Sequence, residues 1–137
     1  MGFMTLVLIL ILVQYISFAM KVGGARQKHS IEAPAINGHP EFERYYRVHQ
    51  NTLEQLIVFI PLYLVFPQMA EARGWMGYEM VSVAGVLWII GRYIYASNYV
   101  KDPASRGKGF MIGFLPMVLL LLGTLVLSVM SIMGIGQ

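Results

Sequence analysis

Two short stretches carry most of the chemistry-bearing side chains in this sequence. Residues 43–54 read ERYYRVHQNTLE, and residues 92–99 read RYIYASNY. Together they offer guanidinium groups, which hold carboxylates or phosphates in bidentate geometry. They also offer a glutamate that can meet an amine, and phenols and carboxamides for neutral polar groups. A small zwitterionic ligand with net negative charge fits such a set best. No glycine-rich phosphate loop is present, and there is no cysteine, which removes disulfides, thiolate metal sites and a cysteine nucleophile. The three histidines, His29, His39 and His49, have no metal-like helical spacing, so no metal is assigned.

Both stretches lie in an unusually apolar chain. Of its 137 residues, 57% are hydrophobic and 12% charged, against roughly 25% charged in soluble domains; the mean hydropathy is +0.62. A water-soluble fold of this size leaves too much surface exposed to hide that apolar content. The length predicts one domain, residues 1–137. Residues 3–20 and 110–137 carry no charge. Since a crossing helix needs about 20 mostly apolar residues, the pattern predicts an all-α integral membrane protein. Its bundle of four transmembrane helices has spans near 3–22, 45–67, 77–99 and 110–133. The first run lacks a basic leader and a clear cleavage site, so it is read as a retained helix.

Lys21, Arg26, Lys28, Arg44, Arg47, Arg92, Lys101, Arg106 and Lys108 fall at one end of these spans, and only Arg73 at the other. The positive-inside rule then makes the basic end cytoplasmic and puts both termini on the opposite side. Gly23–Gly24, Pro34, Gly38 and Pro40 predict a first loop of some twenty residues. Pro103 predicts a stop after the third helix, and Pro61 a bend in the second.

At about 100° per residue, Arg47, Asn51 and Glu54 (i, i+4, i+7) share one face of the second helix. Arg92, Tyr95 and Tyr99 (i, i+3, i+7) share one face of the third. The two helices are antiparallel, so both stripes lie at the basic end and can meet. Ionisable groups at that depth are costly and mark a functional site by default. The alternatives are a structural salt bridge between Arg47 and Glu54, snorkelling of Arg92 to lipid phosphate, and membership of the tyrosines in an interfacial aromatic belt.

The stretch EFERYYRVHQNTLEQLIVFIPLYL resembles the second helix of the MAPEG family, the membrane-associated proteins in eicosanoid and glutathione metabolism. The shared pattern, E-R-x-x-R-x-x-x-N-x-x-E before an apolar run with proline, falls on Glu43, Arg44, Arg47, Asn51, Glu54 and Pro61. GRYIYASNYV resembles the end of the family's third helix, and Arg106 lies where the family keeps its thiol-activating arginine. The resemblance covers nearly the whole chain. It implies a homotrimer that binds glutathione as co-substrate between subunits, with Arg47, Asn51, Glu54, Tyr95 and Tyr99 around the γ-glutamyl part. It further implies that Arg26 and His49 of a neighbouring subunit lie near the glycine carboxylate, that Arg92 lies close by, and that Arg106 is catalytic. Gln55 stands where the family's leukotriene synthases have tyrosine, and Gly107 where its prostaglandin E synthases have serine. The pattern is most similar to a microsomal glutathione transferase acting on hydrophobic electrophiles, with lipid hydroperoxide reduction as a further activity. The competing expectation is a non-catalytic, lipid-binding accessory protein. A small transporter fits less well, because helices 1 and 4 are uncharged. Membrane lipid is an expected partner; nucleic acid is not.

Overall fold

The computed structural model describes residues 1–136. Four long helices account for the architecture: α1 (Gly2–Lys28), α2 (Pro40–Glu71), α3 (Gly77–Lys101) and α4 (Gly107–Ile132), with a 3-10 turn at Pro103–Arg106 before α4. Each is long and apolar enough to cross a bilayer. Exposed leucines, isoleucines, valines and methionines run along α1 and α4, an arrangement that would aggregate in water but suits a lipid solvent. Helices α2 and α3 form the middle pair, each packed against α1 and α4.

Element boundaries follow local chemistry. α1 runs through Gly23–Gly24 and ends at Lys28, so the expected long first loop is shorter, spanning residues 29–39. The glycines lower helix propensity by only about 1 kcal/mol each, and no proline intervenes before Pro34. His39 caps α2: its Nδ1 accepts from the Glu41 backbone N–H at 3.2 Å, and Pro40 occupies the first helical position. This starts α2 earlier than the expected 45. Pro61 and Pro67 lie inside α2, which continues past both. α3 stops at Lys101 as Pro103 demands, and Asp102 caps the 3-10 turn through the Ala104 N–H at 3.0 Å.

The core runs along the four-helix axis, with Val7, Ile11, Phe59, Tyr63, Trp88, Leu120 and Leu127 all buried. The Tyr63 hydroxyl donates to the Met4 carbonyl at 3.0 Å, closing α1 onto α2. At the basic end α3 and α4 touch backbone to backbone. A Cβ on Gly91 would fall 2.3 Å from the Gly113 nitrogen, and one on Gly109 would fall 2.2 Å from the Tyr95 nitrogen. Only hydrogen fits at these two positions, as in the small-residue contacts that let membrane helices approach closely.

Candidate functional site

The two polar stripes meet. Arg92, about two thirds of the way along α3, is fully buried. Its Nη1 and Nη2 each donate to Asn51 Oδ1 at 3.1 Å, and Nη2 also donates to Thr52 Oγ1 at 2.7 Å. The Thr52 hydroxyl donates in turn to the Val48 carbonyl at 2.7 Å. The guanidinium lies 4.1 Å from the centre of the Tyr95 ring. With its oxygen taken by Arg92, Asn51 turns its NH₂ outward and donates to Glu54 Oε2 at 3.3 Å. Glu54 Oε1 lies 3.5 Å from Arg47 Nη1, both side chains about half exposed. A relay of contacts thus runs from the buried guanidinium to the rim, orienting each group by the one beneath it.

Above this relay is a cavity of about 360 Å³ lined by Arg47, Asn51, Tyr95, Tyr99, Arg106, Gly107 and Phe110. Tyr95 and Tyr99 stack with centroids 5.5 Å apart. Arg106 closes the 3-10 turn and stands at the start of α4, its guanidinium 5.7 Å from the Tyr99 ring. Pro103 forces that turn, and the close Gly109–Tyr95 contact fixes where α4 begins, so Arg106 is held over the cavity by backbone geometry. Its guanidinium makes no hydrogen bond among the described residues. Phe110 supplies an apolar wall and packs on Tyr95 at 6.5 Å.

The structure therefore gathers Arg47, Asn51, Tyr95, Tyr99 and Arg106 in one cavity, with Glu54 at its rim. Three other expected residues lie elsewhere in the chain. Arg92 is beneath the cavity and reaches it through Asn51. Arg26 donates to the Ile31 carbonyl at 3.3 Å and stacks over Phe42 at 4.7 Å. His49 stacks on Tyr15 at 4.6 Å. Thr52 and Phe110 are not among the residues the sequence points to, and Gly107 is noted there only as the neighbour of Arg106. Thr52 has a readable signal, a hydroxyl one residue from Asn51 at the polar end of a membrane helix; Phe110 has none.

The histidines also differ from their spacing in sequence. The loop brings His29 and His39 into a face-to-face stack at 3.5 Å, with His29 Nε2 at 2.7 Å from Glu41 Oε2. Donor atoms of His29, His39 and Glu41 lie within 4.8 Å of one another. Stacked rings point their in-plane lone pairs side by side rather than at a common point. Lys28 Nζ already holds both Glu41 oxygens, at 2.8 and 3.1 Å. The cluster works as a clasp between the end of α1 and the start of α2. Its hydrogen bonds, from Lys28 first and His29 second, hold the Glu41 carboxyl down at about 2; Glu41 precedes the apolar stretch of α2.

The MAPEG family profile matches residues 4–126. An uncharacterized protein of Synechocystis is 32% identical over 123 residues, covering 90% of this chain and 85% of its own. Human microsomal glutathione S-transferase 2 is 36% identical over 110 residues, covering 79% of this chain and 70% of its own. Bovine leukotriene C4 synthase is 29% identical over 90 residues, covering 65% of this chain and 55% of its own.

Proposed function

This chain belongs to the MAPEG family, and we propose that it is a membrane-bound glutathione transferase that forms the glutathione thiolate for attack on hydrophobic electrophiles. The observation that carries this reading is the convergence of Arg47, Asn51, Tyr95, Tyr99 and Arg106 on one cavity at the basic end of the bundle. Such a cavity offers cations to the carboxylates of a tripeptide and, in Glu54, an anion to its α-amine. In this proposal Arg47, Asn51, Glu54, Tyr95 and Tyr99 hold the γ-glutamyl end, and Arg92 is a positioning residue that acts through Asn51. Arg26 and His49 lie away from the cavity of their own chain, which accords with a homotrimer in which a neighbouring subunit presents them to the glycine carboxylate. The whole chain is one membrane domain, its active site on the cytoplasmic side and its termini opposite.

Arg106 is the catalytic residue of this reading. An ordinary thiol, with pKa about 8.5, is mostly protonated at neutral pH. A guanidinium beside the sulfur favours the thiolate, which is the nucleophile. Arg106 makes no side-chain hydrogen bond among the described residues, which leaves its donors for that sulfur. The thiol proton passes to water at the cavity mouth, and the thiolate forms a carbon–sulfur bond with an electrophile delivered from the bilayer past Phe110 as a leaving group departs with the bonding pair, or as a carbon–carbon π bond opens and takes up a proton. With a lipid hydroperoxide it attacks the terminal oxygen and breaks the O–O bond, giving the lipid alcohol and glutathione sulfenic acid, which a second glutathione reduces to the disulfide and water. Holding both reactants at the membrane edge supplies much of the acceleration.

The test is thiolate absorbance in the ultraviolet on adding glutathione to the detergent-purified protein, with Arg106→Ala in parallel. A signal present in the wild type and lost in the variant is the expected outcome. Glutathione binding without a thiolate signal would favour the accessory lipid-binding role. No binding at all would overturn the family function for this chain.

A further inference from the structure

A second polar cavity, of about 350 Å³, opens at the basic end on the other side of the middle helix pair, between α1, α2 and α3. Its polar lining is Lys21, Tyr45, Ser97 and Lys101, and its floor includes Phe18 and Val48; no acidic side chain lines it. At about 100° per residue, Ser97 and Lys101 lie far round α3 from Tyr95 and Tyr99, so this cavity is separate from the one under Arg106. None of the four polar side chains makes a hydrogen bond or ion pair among the described residues. The Lys21 ammonium lies 5.6 Å from the centre of the Phe18 ring.

The α3 C-terminus would ordinarily turn unsatisfied carbonyls, a negative dipole end, toward such a site. Here Arg44 Nη1 takes the Val100 and Lys101 carbonyls, each at 3.0 Å. That contact removes the main local repulsion to an anion and sets the backbone under Lys101. Lys21 directly follows the uncharged run of α1, and Lys101 is the last residue of α3. The cavity therefore sits where the apolar belt gives way to charge, with its floor greasy and its rim basic. Below it, exposed Ile90 and Tyr93 continue down α3 as an apolar track.

We propose that this cavity binds the headgroup of an anionic phospholipid, with Lys21 and Lys101 on the phosphodiester, the Tyr45 and Ser97 hydroxyls donating to its oxygens, and an acyl chain along Ile90 and Tyr93. Basic pockets between membrane helices take acidic headgroups in this way. A zwitterionic choline lipid would set its own cation against the two ammonium groups. A free phosphate would leave the apolar floor and track unused.

The experiment is native mass spectrometry of the full chain in detergent with equal phosphatidylglycerol and phosphatidylcholine. Phosphatidylglycerol adducts are expected to be favoured by about tenfold. Lys21→Gln/Lys101→Gln should lose that preference, and Lys28→Gln/Lys108→Gln, which removes equal charge outside the cavity, should keep it. Ser97→Phe retains every charge but fills the space and should also lose it; thermal melting checks that each variant remains folded. Equal retention of both lipids, or equal loss in the two double variants, overturns the site in favour of general surface charge. Displacement of phosphatidylglycerol by millimolar inorganic phosphate would reassign the cavity to a soluble anion and overturn the lipid assignment.

Discussion

The α3–α4 seam is closed at one end and open at the other. At the basic end Gly91 and Gly109 bring the two backbones into contact, and the side chains around them are polar and interlocked. Toward the opposite end the seam widens into a groove of about 410 Å³ lined by Phe66, Met80, Ala84, Leu87, Leu119, Leu120 and neighbouring apolar residues. One pair of helices thus supplies a rigid polar frame and a soft apolar cleft. Where charge must be placed to within a fraction of an ångström, the chain uses backbone contact. Where only grease must be met, it uses interchangeable side chains.

That contrast can be broken at either end. The largest effect is expected from Arg106→Ala, which should lower turnover about 100-fold, the order seen when a single stabilising donor is lost from an active site. Glutathione affinity, measured by calorimetry, should change little; unchanged turnover would remove Arg106 from the mechanism. Gly109→Ala should destabilise the protein by about 1–3 kcal/mol through overpacking and lower turnover as well, because it pushes α4 and Arg106 away from Tyr95. A thermal melt equal to wild type would show that the contact is not a constraint. Glu54→Ala should weaken glutathione binding about tenfold, the loss of one charge-assisted contact; equal affinity would make the rim ion pair structural.

At the open end, Leu119→Ala should change stability by no more than about 0.5 kcal/mol, since Leu119 is largely exposed. A large loss there would mean the groove is as exacting as the frame. The smallest effect concerns the clasp outside the membrane. The Glu41 carboxyl is held below its ordinary 4.5, at about 2, so its contribution is complete above about 4.5 and disappears as pH falls toward 2. Proteolysis of the loop at residues 29–39 should accelerate across that window. Glu41→Gln should cut faster than wild type at neutral pH and show less change on acidification.

The sequence and the structure agree where one physical rule dominates. Four uncharged or nearly uncharged runs specify four spans, because lipid tolerates little else, and Pro103 specifies the end of α3. The helical spacing of Arg47, Asn51 and Glu54 and of Arg92, Tyr95 and Tyr99 is visible without coordinates. The first loop is less legible, because Gly23–Gly24 has the composition of a breaker and the helix runs straight through it. Arg92 reads as one of a set of ligand-facing cations, yet its charge is spent on Asn51 and Thr52; periodicity gives a face but not a depth. The meeting of His29 with His39 depends on the path of a loop, and Phe110 enters the cavity only because Gly109 lets α4 lie so close. Contacts of this kind depend on three-dimensional approach, and residue spacing does not encode them.

The burial of Arg92 has a consequence for how the protein is made. α3 is the least apolar of the four spans, and it carries a guanidinium that lipid alone would reject. The acceptors that receive this group, Asn51 and Thr52, lie on α2 and leave the ribosome first. When α3 emerges, acceptors for its one buried charge have already been made. The chain thus places the acceptors ahead of the charge they receive, so that in the folded bundle the guanidinium of α3 meets α2 and not bare lipid.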